Sequence, residues 1–263
     1  MNNFDPTDTW KELLPVNVEV AGGPVSAGLA SLTPSELLSV GSADPSRVSE
    51  LECGRMYAKQ ALRKLGIHDV ELPVGRNRAP VWPGGTIGSI SHVQRRSGSY
   101  CFAAVGRTTE ISCLGIDMEY EHGLHPSVWA SILTESELTQ ICSLPVVDRE
   151  TEVLSRWSMK EAIAKAALQL FEPTEIETER RHGGDSFAAI CRLISGDRQT
   201  ERRWLGRITR VNGLILTAVA LPSGQSVTQL AECCFPAVRR MRESSGRTLK
   251  FRAAERFVGS DER

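Results

Sequence analysis

The chain has 263 residues, enough to bury a substantial core as one domain or two. Its 31 Lys and Arg against 32 Asp and Glu leave a net charge of −1, which argues against a protein built to coat nucleic acid or an anionic membrane. Seven cysteines with no C-x-x-C pair, only the adjacent Cys233-Cys234, indicate neither a zinc site nor a disulfide framework.

In chain order, the start Met1-Asn-Asn-Phe-Asp-Pro lacks a basic region followed by an apolar run, and no stretch reaches the length of a membrane span. A soluble, cytoplasmic chain with reduced thiols is expected. Residues 45–65, rich in Ala, Leu, Arg and Lys, predict a helix stopped by Gly66. A Pro/Gly-rich arm follows, Arg76-Asn-Arg-Ala-Pro-Val-Trp-Pro-Gly-Gly-Thr-Ile-Gly-Ser-Ile-Ser-His92. Its end, Ile87 to Val93, predicts a strand that turns through Arg95-Arg-Ser-Gly98 into a second strand, Tyr100 to Val105, a hairpin with His92 at its rim. Taken alone, His92 also fits a half-buried strand histidine, and Arg76 and Arg78 fit loop solvation.

Ile111 to Tyr120 alternates Leu114, Ile116 and Met118 with Cys113, Gly115, Asp117 and Glu119. In a strand the apolar set faces a core, and Asp117 and Glu119 project together from the other face. The next stretch, near 126–143, reads as helical with a cap at Thr134-Glu-Ser-Glu137, and Leu124, Val128, Leu133 and Leu138 within 120–154 look exposed at helical spacing, although at least half of them fit packing in the core of the second half. From Asp148, as N-cap, to Phe171 a long helix is predicted, stopped by Glu172-Pro173. Met159, Ile163, Ala166, Ala167 and Leu170 form its buried stripe, while Trp157, Glu161 and Lys165 recur every four residues on another side. Strands near 187–193, 204–210 and 213–221 follow. The segment 239–263, with eight Arg/Lys against four Asp/Glu, reads as a mobile or peripheral helix.

An Asp-x-Glu on a strand also fits a solvated outer face, and Glu161 with Lys165 also fits a surface ion pair. Their co-occurrence with Trp157 and the upstream arm favours one metal–phosphate site using three carboxylates and a lysine.

The ordered set Arg-Ala-Pro-x-Trp-Pro-x-Gly, Gly-Ser-Ile-Ser-His, Gly-Ile-Asp-x-Glu and Trp-Ser-x-Lys-Glu-Ala-x-x-Lys resembles the 4'-phosphopantetheinyl transferases of the surfactin-synthetase type. Within them it is most similar to the branch of enterobactin synthetase component D. The resemblance spans about Leu32 to Leu221. It implies an α+β fold of two similar halves related by a pseudo-twofold axis, with the site in the cleft between them. It divides the chain into 1–110, 111–225 and a basic extension 226–263.

The activity the resemblance implies is transfer of the 4'-phosphopantetheine arm of coenzyme A to a serine of an apo carrier protein, with release of adenosine 3',5'-bisphosphate. It implies Asp117, Glu119 and Glu161 as Mg²⁺ ligands, Lys165 on the phosphates, and Glu161 also as a candidate base. Arg47, Arg55 and Arg78 fall where the family places cations for the 3'-phosphate and nucleotide, and Ser91 and His92 where it contacts the cofactor. Arg76, Arg95 and Arg96 stay unassigned. Part of 120–154 is expected to form an apolar groove for the carrier helix, and two fused halves imply a monomer. A Mg²⁺-dependent phosphohydrolase and a non-catalytic module binding coenzyme A or a carrier are the alternatives. Whether the carrier serves peptide, polyketide, fatty-acid or siderophore synthesis stays open.

Overall fold

The structure, a computed structural model, describes residues 5–25, 32–37, 45–75, 79–94, 98–122, 124–180, 185–195 and 198–224. The expected extension 226–263, together with Arg76, Arg78, Arg95, Arg96 and the side chain of Arg47, lies outside the described residues.

The fold is α+β, with two antiparallel sheets. Helix α1 (Thr7–Leu13) leads into β1 (Glu19–Pro24), a short α2 (Pro34–Leu37) and the long α3 (Pro45–Lys64). The hairpin β2 (Thr86–Val93) and β3 (Tyr100–Arg107) completes a three-stranded sheet of order β1-β3-β2. The chain then enters β4 (Ile111–Tyr120), passes through a 3₁₀ turn at Pro126–Val128, α4 (Trp129–Ile132), α5 (Glu135–Ser143) and α6 (Val146–Ala167), and continues into β5 (Ile176–Arg180), β6 (Ser186–Ser195), β7 (Arg198–Val211) and β8 (Leu214–Pro222). The second sheet has the order β4-β8-β7-β6-β5.

Strand periodicity accounts for the layering. Along β3, Phe102 and Ala104 enter one core with Trp10, Leu13 and Val20, while Cys101, Ala103 and Val105 face the other way onto Cys53, Tyr57, Ala61 and Leu62. The first of these cores also takes Leu114, Ile116 and Met118 of β4 with Leu214 and Leu216 of β8, so the two sheets share it. Behind the second sheet, Met159, Ala162 and Ile163 of α6 pack on Phe187, Cys191, Ile208 and Val219. Helix α6 lies unusually close to β4. A Cβ on Gly115 would sit 2.0 Å from the Ala162 carbonyl oxygen and 2.6 Å from the Ala166 nitrogen, so only glycine permits this approach.

Several expected boundaries shift. The long helix starts at Val146 after Pro145, not after Asp148, because proline's fixed φ of −52° supplies the turn into the helix. It ends at Ala167 because Leu168 adopts a left-handed φ of 52°, and Leu170, expected in the buried stripe, is exposed. The stretch 126–143 is broken into a 3₁₀ turn and two helices, with Thr134 and Glu137 forming the expected capping box. The expected helix 45–65 and hairpin stand, and Gly66 takes φ 76° at the helix end. Leu133 is buried, and Leu124, Val128 and Leu138, partly buried, pack with it against Ile132, Ile141 and Val153 in a small core.

Candidate active site

Strand β4 carries the central carboxylates. Its odd-numbered residues face α6, so Asp117 is covered by the helix and only 4 % exposed, which excludes a solvated outer face. Helix periodicity delivers Trp157, Glu161 and Lys165 to the same place. Lys165 Nζ lies 2.6 Å from Asp117 Oδ1, and the Ser91 hydroxyl donates to the same oxygen at 3.3 Å. Asp117 Oδ2 is buried and finds no hydrogen-bond partner among the described residues. Trp157 Nε1 donates to Glu119 Oε1 at 3.1 Å.

The electrostatics follow from three carboxylates sharing one ammonium. Burial pushes the Glu119 carboxyl up to about 8, with the Asp117 charge adding to it and the Trp157 hydrogen bond working against it. Burial also raises Glu161, opposed by Lys165 and reinforced by Asp117. Burial alone would lower Lys165, but Asp117, Glu161 and Glu119 together hold it above its ordinary value. Among the described residues no three His, Cys, Asp or Glu side chains are gathered into a ready-made metal cage. The donor set nonetheless fits a hard divalent cation. Such an ion takes a few carboxylates and completes its octahedron with phosphate oxygens and water, and the unsatisfied Asp117 Oδ2 and excess negative charge are what it would relieve.

A cleft of about 390 Å³ runs from these groups to α3, and its walls include Arg55, Trp82, His92, Glu161 and Lys165. Thus one wall comes from α3 and β2, the other from α6. Arg55 is 4 % exposed, and its Nε and Nη2 find no partner among the described residues. Burial pushes its guanidinium down from the usual value, and the Glu36 charge opposes this only in part. A buried arginine left in that condition is prepared for an anion. His92 stands exposed at the rim, its Nε2 3.0 Å from Glu50 Oε2. Trp82 covers Gly88, where a Cβ would lie 2.6 Å from the indole ring.

The cleft therefore unites Arg55, His92, Glu161 and Lys165 on its walls, with Asp117 bonded to Lys165 and the charges of both acting on Glu119. Ser91, expected to touch the cofactor, is 1 % exposed and turns its hydroxyl toward β4 instead. One buried centre was not legible in the sequence. Glu137, read only as a cap residue, is fully buried and receives Lys160 Nζ at 2.6 Å and Thr178 N at 2.7 Å, with Arg156 Nη1 at 3.4 Å. It ties α5 and β5 to α6 next to the cleft. The only sequence signal for it is an i,i+4 Arg156-Lys160 pair, two cations on one side of a helix that also carries Met159 and Ile163.

Comparison with known proteins gives consistent matches. Residues 34–106 match the family model for the 4'-phosphopantetheinyl transferase N-terminal domain, and residues 113–217 that of the 4'-phosphopantetheinyl transferase superfamily. The chain is 34 % identical over 209 residues to 4'-phosphopantetheinyl transferase Svp of Streptomyces mobaraensis, covering 73 % of this chain and 80 % of that protein. It is 31 % identical over 196 residues to enterobactin synthase component D of Salmonella typhi, covering 70 % and 78 %. To 4'-phosphopantetheinyl transferase PptT of Mycobacterium tuberculosis it is 29 % identical over 188 residues, covering 66 % and 79 %. With both halves matched and the four motifs gathered around one cleft, the chain belongs to the 4'-phosphopantetheinyl transferase superfamily.

Proposed function

We propose that this protein transfers the 4'-phosphopantetheine arm of coenzyme A to a serine hydroxyl of an apo carrier protein. The observation that carries the proposal is the two-walled cleft, which sets a buried arginine, two of its nitrogens without partners among the described residues, opposite a lysine–carboxylate cluster. Coenzyme A, with a 3'-phosphate at one end and a pyrophosphate along its length, has the charge pattern such a cleft selects.

Arg55, with Arg47 and Arg78, takes the 3'-phosphate and nucleotide through charge-assisted hydrogen bonds, and His92 takes a phosphate oxygen at the rim. Lys165 supplies an ammonium to the pyrophosphate. Asp117, Glu119 and Glu161 would hold Mg²⁺, which when bound neutralises the charge on the pyrophosphate oxygens. Glu161, whose carboxyl is raised by burial, accepts the proton of the carrier serine. The serine oxygen forms a bond to the phosphorus bearing the pantetheine arm. The bond from that phosphorus to the bridging oxygen breaks, and its electron pair leaves with adenosine 3',5'-bisphosphate. Such a transfer depends on positioning and charge neutralisation more than on covalent help from the protein.

We read residues 1–110 and 111–225 as the two halves, the chain as a monomer since one copy completes the cleft, and its location as cytoplasmic. Among the described residues no helix is long and apolar enough to cross a membrane. The carrier docks at the cleft mouth, where Leu168 and Leu170 are exposed, rather than on the buried residues of α4 and α5. Incubation with coenzyme A, Mg²⁺ and an unmodified carrier protein, read by intact mass, tests the proposal. The carrier gains the mass of the arm if it holds. Hydrolysis of coenzyme A without a mass gain would instead identify a phosphohydrolase, and binding without either product a non-catalytic module.

A further inference from the structure

Strands β2 and β4 meet without a backbone ladder, since each belongs to a different sheet. Two N–H groups of β4 that point away from β8 therefore need other acceptors. Ile116 N donates to the Ser89 hydroxyl at 3.0 Å and Met118 N to the Ser91 hydroxyl at 3.0 Å. Both serines are buried, at 4 % and 1 % exposure. Side-chain oxygens two residues apart thus stand in for strand carbonyls and fix the register between the halves.

Ser91 does one thing that Ser89 does not. With its oxygen accepting from Met118 N, its proton is directed to Asp117 Oδ1 at 3.3 Å, the oxygen that Lys165 Nζ approaches to 2.6 Å. Two donors on Oδ1 leave Oδ2 as the carboxylate oxygen without a partner among the described residues. A carboxylate held at one oxygen cannot rotate without giving up both bonds. We infer that Ser91 is a positioning residue for the transfer reaction. Its hydroxyl locks the Asp117 carboxylate with Oδ2 presented for a divalent cation, and ties that carboxylate to the strand whose next residue, His92, stands at the cleft rim. The inference rests on the proposed role of Asp117 as a metal ligand.

Ser89→Ala and Ser91→Ala form a matched pair, because each leaves one buried β4 N–H unpaired but only the second frees a carboxylate. The measurements are melting temperature, kcat with KM for Mg²⁺ and coenzyme A, and calorimetric Mn²⁺ affinity of the protein without coenzyme A. The two variants should lose similar thermal stability. Relative to Ser89→Ala, Ser91→Ala should bind Mn²⁺ about 10–100-fold more weakly and raise the KM for Mg²⁺ in step, as partners that orient a metal ligand do. Its KM for coenzyme A should match that of Ser89→Ala. Ser91→Thr, which keeps the hydroxyl, should restore Mn²⁺ affinity, and Ser91→Val, of the same shape without it, should not. If Ser91→Ala does not fold, this Thr/Val pair decides by the same ratio. Equal Mn²⁺ affinity in Ser89→Ala and Ser91→Ala, or in the Thr and Val variants, would overturn the inference. A parent that binds Mn²⁺ yet transfers nothing would overturn the transferase reading instead, leaving the Mn²⁺ ratio to judge Ser91.

Discussion

Arg55 holds a charge in a place that gives it little in return. It is buried, two of its nitrogens lack partners among the described residues, and burial disfavours its charged form. Such a group is costly in the free protein and is repaid when an anion arrives. Each charge-assisted bond to a phosphate is worth roughly 1.5–3 kcal/mol, so Arg55→Ala should weaken coenzyme A binding about 10–150-fold. Titration calorimetry with coenzyme A and dephospho-coenzyme A tests whether the lost contact is to the 3'-phosphate. The variant should lose most of the parent's preference between them, and an unchanged preference would assign Arg55 to another part of the ligand.

At the scale of elements, the contact of α6 with β4 brings Glu161 and Lys165 onto Asp117 and Glu119, and it depends on Gly115. Gly115→Ala would drive a methyl group into helix backbone, where no side chain can move aside, so it should cost roughly 1–3 kcal/mol or more. A lowered denaturation midpoint together with loss of transfer is expected. A folded variant with parental midpoint would show that the close approach is not needed.

The second element-level device is Glu137, which anchors α5 and β5 to Lys160 of α6. Burial alone would raise its carboxyl, but Lys160, Thr178 and Thr134 outweigh it and hold Glu137 below its ordinary 4.5. A carboxyl depressed on folding stabilises the protein above its unfolded value, and that contribution is lost as pH falls through the folded value. The parent should therefore lose stability below about pH 4.5 in a way Glu137→Gln does not. At neutral pH the same substitution leaves Lys160 buried without its counter-charge and should cost about 3–5 kcal/mol. Melting curves between pH 7 and pH 3 check both statements.

What could be read from the letters follows from periodicity. The alternation Leu114-Ile116-Met118 against Gly115-Asp117-Glu119 defines a strand and its two faces, and the four-residue recurrence of Trp157, Glu161 and Lys165 defines one side of a helix. Those two facts assemble the acidic half of the site. Other elements lack such a signature. The strand β1 contains Ala-Gly-Gly-Pro, and β5 is Ile-Glu-Thr-Glu-Arg, five residues with alternation too short to stand out. Helix α6 ends on Leu168 in a left-handed conformation that glycine or asparagine usually marks. For Leu124, Val128, Leu133 and Leu138, helical spacing identifies an apolar face and not what covers it; Leu133 is buried and the other three are partly buried on the same small core.

Across the whole molecule, two sheets share one core and one seam, and the cleft opens where they meet. The exposed apolar residues Leu168 and Leu170 border that cleft, whereas Val146 and Val147 begin α6, about 32 Å from Leu168 along its axis. Leu170→Asp should raise the KM for the carrier protein at least about fivefold, the effect of losing a contact worth over 1 kcal/mol, and Val147→Asp should not. Steady-state kinetics with saturating coenzyme A distinguish the two. Equal effects would move the docking surface away from the mouth.

On the proposed function, both halves grip one coenzyme A molecule. Hydrogen exchange of the parent chain, with and without coenzyme A and Mg²⁺, measures this directly, because amides near a bound ligand exchange more slowly wherever the ligand restrains them. Slowed exchange is predicted together in peptides covering Glu50 to Arg55, Gly88 to His92 and Glu161 to Phe171. Protection of one wall alone, or of neither, would contradict it.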